Sequence, residues 1–233
     1  MAIGLSSRRR VLGSAGVLIG AGLLSGAPSI AREAPKKKGA DVDVTPPEDL
    51  MREHGVLDRV LLIYEAGIRR LGDGEDMDPA VFTQSAEIIR DFIENYHEKS
   101  EEEYLFPRFR NAGRMVPLVD VLQAQHVAGR KLTERILAAA PASHRERAQR
   151  EAMTGAMQSF TRMYRPHAAR EDTDLFPTLR SLVTTQEFED LADTFERREL
   201  ALFGANGFEK FAKRVAEIET QIGIHDLDKF TPQ

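Results

Sequence analysis

The sequence predicts an all-α fold: an antiparallel four-helix bundle built from two similar helix pairs, with extra C-terminal helices. Three observations carry this. Apolar residues recur at the helical period along the chain from Glu48 onward. No long alternating run of Val, Ile and Thr reads as a strand. An eleven-residue pattern occurs twice, at His97–Pro107 and His167–Pro177. The 233 residues, 42% hydrophobic and 30% charged, suit one globular domain with appendages and exclude a disordered, collagen-like or polytopic membrane chain. With no cysteine, there is no disulfide, thiolate metal site or cysteine nucleophile.

The amino terminus reads as an address. Arg8, Arg9 and Arg10 precede an apolar, glycine-rich run from Val11 to Ala27, then Ser29-Ile30-Ala31. Charged region, apolar region and small-x-small site make residues 1–31 resemble a twin-arginine export signal. The alternative is an uncleaved membrane anchor, although the run is short for a span and rich in glycine. The expectation is an exported, periplasmic protein, or a membrane-anchored one if the segment stays. The net charge of −5 averages over this basic label; without residues 1–31 the chain holds 29 basic and 37 acidic residues. An acidic domain without a basic stripe argues against nucleic acid as a partner. Residues 32–47, with Lys36-Lys37-Lys38 and Pro46-Pro47, read as a flexible linker.

The bundle is expected over residues 48–180. Leu50, His54, Leu57 and Leu61 share one face of a first helix, stopped by Gly72-Asp73-Gly74. Asp78-Pro79 opens a second, with Ala86, Ile89, Ile93, His97 and Glu101 on one face, ending near Pro107. Pro117 opens a third, with Leu118, Leu122, His126, Gly129 and Ile136 inward, ending before Pro141. Ser143 is the expected cap of a fourth, with Met153, Ala156, Phe160, Met163, His167 and Glu171 inward, a kink at Pro166 and a stop at Pro177. Residues 181–233 carry further helical pattern, with Phe188, Leu191, Phe195 and Leu202, then Phe208, Phe211, Val215 and Ile218, broken near Gly204–Gly207.

Both repeats read H-x-x-x-E-[ED]-x-x-L-F-P. A further histidine precedes each one, His54 by 43 residues and His126 by 41, so the bundle consists of two matched halves. Histidine and glutamate four apart project from the same side of a helix. Glu101 and Glu171 extend apolar stripes, where a buried charge is costly unless paired or metal-bound. Four imidazoles and two carboxylates are too many for one tetrahedral zinc ion; they suit two ions with bridging carboxylates.

These residues, His54, His97 with Glu101, His126, and His167 with Glu171, each repeat closing on Leu-Phe-Pro, make the chain resemble the haemerythrin-like, HHE cation-binding family over roughly 47–179. The resemblance implies a non-haem centre of two iron ions, bridged by Glu101, Glu171 and an oxo or hydroxo group, with a position open to O2, NO or peroxide. Manganese and zinc remain compatible with the ligands. Many relatives carry a second histidine after the first in the second helix, where this chain has Glu98. Glu98 is either an added carboxylate ligand or a solvent-facing residue, and as a ligand it would put reversible O2 carriage in doubt.

The remaining polar residues have plainer readings. Glu102, Glu103, Asp172 and Asp174 read as a solvated acidic face, and His144 and His225 as surface. Tyr64, Tyr96 and Tyr164 are either hydrogen-bond donors behind the ligands or packing residues. Leu105-Phe106 and Leu175-Phe176 read as plugs at helix ends. Two functions follow: an exported module binding O2, NO or iron for sensing, scavenging or storage, or a di-iron oxidase or peroxidase acting on H2O2 or NO. A metal-free structural bundle is the third reading. The small ligand or peroxide is the expected partner; no protein partner is legible.

Overall fold

The computed structural model describes residues 44–232. The export-like segment and most of the expected linker, residues 1–43, lie outside the described residues. Among the described residues there are six helices and no strand, and no helix is long and apolar enough to cross a membrane.

Helix α1 runs Pro46–Gly72. Thr45 and Glu48 cap it reciprocally, the Thr45 hydroxyl accepting from the Glu48 N–H and the Glu48 carboxylate from the Thr45 N–H. Pro46 and Pro47, read above as the end of a linker, are therefore its first residues. They fit because the first helical turn needs no N–H.

Helix α2 spans 79–111 and is not uniform. α-Helix at Pro79–Ile88 widens to π-helix at Ile89–His97, narrows at Glu98–Ser100, widens again at Glu101–Leu105, and finishes as α-helix at Phe106–Asn111. The expected stop at Pro107 is thus corrected. A proline lacks an N–H and crowds the carbonyl four residues back. The widened turn accommodates it, with the Phe106 N–H reaching the Glu101 carbonyl.

Helix α3 runs Val116–Ala139. Helix α4 spans 147–179, passing through Pro166 without a break, with π-helix at Glu171–Leu175 and a last α-turn at Phe176–Leu179. The same Phe-Pro chemistry explains why it outlasts Pro177. Ser143 does not cap α4. Its hydroxyl donates to the Ala140 carbonyl, and Glu146 stands at the cap position.

Helices α5 (Thr185–Phe203) and α6 (Gly207–Gln221) follow. Gly204 takes a positive φ of 72° where the chain turns between them.

Helix α1 packs on α2 and α4, and α3 packs on α2 and α4, so the four site helices close a ring of contacts. One cluster of Leu57, Leu61, Phe82, Ile89, Phe160 and their neighbours fills one end of that ring. A second, with Leu105, Phe106, Phe109, Leu175, Phe176 and Phe195, fills the other. Helix α6 lies against α1 and α2, where Phe211 stacks on Phe92 at 4.6 Å. Leu202, part of the helical pattern of this segment, is half-exposed.

Candidate metal centre

One histidine on α1 and one on α3, with a histidine-glutamate pair on each of α2 and α4, converge between the two apolar clusters. His54, His97, Glu101 and Glu171 bring donor atoms within 4.8 Å of one another, as do His126, His167 and Glu171. All six side chains are buried, at 3% exposure or less.

The imidazole Nε2 atoms face the carboxylates. His54 lies 3.3 Å and His167 3.1 Å from Glu171; His97 lies 3.7 Å and His126 3.5 Å from Glu101. Each glutamate therefore touches one histidine from each half. The four carboxylate oxygens of Glu101 and Glu171, and Nε2 of His54 and His97, make no hydrogen bond. Groups that polar are rarely buried unpaired. A shared cation satisfies all of them, so the donor set fits a metal.

The opposite ring nitrogens are all anchored. Nδ1 of His54 donates to Asp172 at 2.7 Å and that of His97 to Glu53 at 2.8 Å. Nδ1 of His126 donates to Glu102 at 3.1 Å and that of His167 to Gln125 at 2.9 Å. Such outer bonds fix the tautomer and aim the Nε2 lone pair inward. Glu102 and Asp172 are thus corrected from solvated residues to histidine partners. Glu53 and Gln125 were missed, although the signal was present: each immediately precedes the lone histidine of its half. Glu103 and Asp174 pair with Arg198 and Arg170 at the surface.

The two phenylalanines also do more than plug helix ends. Phe176 stacks on His54 and Phe106 on His126, both at 5.5 Å between ring centres. Each Leu-Phe-Pro segment braces the lone histidine of the other half.

Glu98 is buried, with both oxygens engaged: it accepts from the Tyr164 hydroxyl and, at 2.7 Å, from Arg130. It groups with Glu102 and His126, and His126 is shared with the second group above. Of the three tyrosines, Tyr164 reaches this network through Glu98. The Tyr96 hydroxyl donates to the Phe195 carbonyl at 3.5 Å, and Tyr64 packs edge-on against Phe160. His144 and His225 are exposed, the latter beside Glu219.

The electrostatics follow from crowding like groups. Burial and the neighbouring Glu171 push the Glu101 carboxyl well above its ordinary range, while Glu171 is held well below it by His167 and His54 despite burial. Two carboxylates this close do not both ionise without a cation between them. Burial disfavours charge on His54, but Asp172 and Glu171 outweigh it and raise its pKa to about 9. Burial and His54 depress His97.

A helical bundle with this centre defines a class of cation-binding protein, and the chain belongs to it: residues 45–179 match the Hemerythrin HHE cation binding domain. Among curated proteins, the chain is 49% identical over 194 residues to an uncharacterized protein of Mycobacterium bovis and to uncharacterized proteins of two Mycobacterium tuberculosis strains. Each match covers 82% of this chain and 76% of the relative. No solved structure matches.

Proposed function

We propose that this chain is an exported di-iron protein whose α1–α4 form an antiparallel four-helix bundle. His54, His97, His126 and His167 would be its terminal ligands, with Glu101 and Glu171 as bridges. The observation that carries the reading is the inward set of buried atoms that lack hydrogen bonds, the four oxygens of Glu101 and Glu171 and Nε2 of His54 and His97, with all four imidazoles anchored from behind. Iron fits a donor set of imidazole and carboxylate without thiolate.

When bound, the two ions supply redox chemistry and a coordination position for O2, NO or peroxide. The chain's own residues do the rest. The four outer acceptors hold the imidazoles in register, Phe106 and Phe176 keep water from the faces of His126 and His54, and complete burial limits the guest to a few atoms. Sensing, scavenging or storage follows from such binding. A di-iron oxidase or peroxidase is favoured by one observation, the Tyr164 hydroxyl on Glu98 beside His167. Export to the periplasm rests on residues 1–31 alone.

The test is to purify the chain aerobically, measure metal per chain and record visible spectra before and after reduction. Two irons with charge-transfer bands that bleach on reduction support the centre; one zinc, or no metal, overturns it. Re-formation of a stable O2 adduct would favour the binding module, and peroxide consumption the enzyme.

A further inference from the structure

The two halves of the centre match residue by residue in their inner donors but not in what stands behind them. The position four after the lone histidine is the exposed Asp58 on α1 and the half-buried Arg130 on α3. The position after the paired histidine is Glu98 on α2 and Ala168 on α4. One Arg130 nitrogen lies 2.7 Å from both Glu98 and Glu102. Glu102, also held by Lys99 at 2.6 Å, accepts from His126. Glu98 accepts from Tyr164, whose ring packs on His167 at 5.1 Å. The adjoining Gly129 is shaped for this: a Cβ there would stand 2.1 Å from the Tyr164 hydroxyl.

We propose that Arg130 is a positioning residue for the His126/His167 half of the metal centre. It fixes Glu102 as the acceptor behind His126, and it fixes Glu98 on Tyr164 and away from the metal. The assignment rests on the di-iron reading. Its chemistry is that of a guanidinium, whose terminal nitrogen holds its two hydrogens in one fixed plane toward the two carboxylates, where a lysine ammonium is a compact charge with no such plane. The matching position on α1 holds Asp58, a carboxylate, so the guanidinium distinguishes the two positions.

The test uses the full chain with Arg130→Met and Arg130→Lys. Anaerobic Fe(II) titration reads the two binding steps, and Mössbauer spectra of the 57Fe-loaded protein read each iron. Loss of an outer-shell partner costs about ten- to a hundred-fold in metal affinity. The expected result for Arg130→Met is one step weakened by that factor, the other unchanged, one quadrupole doublet shifted, and partial recovery in Arg130→Lys. Unchanged doublets, a tightened step, or equal weakening of both steps overturns the proposal. If circular dichroism shows that Arg130→Met does not fold, Glu102→Gln, which keeps the shape and removes the charge, must weaken the same single step. A wild-type chain without two irons fails the di-iron reading itself; two irons that ignore Arg130 sink only this inference.

Discussion

The first helix pair, α1 with α2, and the second, α3 with α4, present the same inner chemistry on different supports. Each offers one lone histidine, one histidine-glutamate pair, and a Phe that stacks on the other pair's lone histidine. Yet the first pair lies under α6 and carries two π-helical stretches, while the second carries one. Behind His97 stands a carboxylate, Glu53, and behind His167 a carboxamide, Gln125. The difference teaches that inward ligands and outward supports answer to separate demands. On the di-iron proposal the inner geometry repeats because two ions would need it twice; the supports diverge because each half meets different neighbours.

The strongest way to break the comparison is to remove a carboxylate that both halves share. Glu171 touches His54 and His167, and Glu101 touches His97 and His126, so each belongs to both halves. Glu171→Ala and Glu101→Ala are each expected to lower metal content to near zero, measured per chain by mass spectrometry. One metal remaining in either variant would show that the halves bind independently. At free metal a thousandfold above Kd, each occupied site adds about 4 kcal/mol. Its loss lowers Tm by about 8–16 °C in a domain of this size.

The inner centre was legible because its residues obey helical spacing. His97 and Glu101, like His167 and Glu171, stand one turn apart on faces otherwise apolar, and repetition marked them as a set. The outer partners were not legible. Glu102 and Asp172 sit among other acids, and only the packing of α2 on α3 and of α1 on α4 turns each toward a histidine. The two π-helical turns ahead of Phe-Pro have a visible cause in the proline, misread as a stop. The stretch Ile89–His97 has no Pro or Gly, and nothing local in its sequence accounts for it. The start of α1 at Pro46 was readable in Thr45 and Glu48, whose three-residue spacing is that of a capping box.

A second test asks whether α6 supports the first pair alone. Phe211 is buried between Phe92 and Phe203, its ring 4.6 Å and 4.9 Å from theirs. Phe211→Ala is expected to cost about 3–5 kcal/mol, the usual range for deleting a buried aromatic ring. Amide exchange should quicken in α2 around Phe92 before it does in α4. Uniform quickening in both pairs would mean that α6 stabilises the whole bundle instead.

The second pair has its own sensitive point at Gly129. Gly129→Ala places a methyl group against the Tyr164 hydroxyl and, as overpacking does, is expected to cost about 1–3 kcal/mol. Gly155, on an open face of α4, has no neighbouring atom within 4 Å of an added Cβ. Gly155→Ala should stabilise by about 0.5–1 kcal/mol through helix propensity. Denaturant midpoints measure both signs. A neutral Gly129→Ala would mean that Tyr164 moves freely and that the Glu98 network is loose.

The smallest expected loss of stability belongs to the clasp between α6 and α1. Arg59 donates through Nε to Glu219 at 3.0 Å and through its other nitrogens to Glu219 and the Ala212 carbonyl; His225 lies 3.1 Å from the same carboxylate. Arg59 is 30% and Glu219 7% exposed, between the surface and buried limits, so Arg59→Met should cost about 1 kcal/mol. Burial disfavours the Glu219 charge, but Arg59 and His225 outweigh it and lower its pKa below 4.5. A depressed carboxylate stabilises the fold above its ordinary pKa and loses that contribution as pH falls through the lowered value. The Tm gap between wild type and Arg59→Met should therefore be full at neutral pH and close below 4.5. A gap that persists there would locate the remaining worth of the clasp in contacts that do not titrate, the Arg59 bond to the Ala212 carbonyl and the packing of the Arg59 stem on α6.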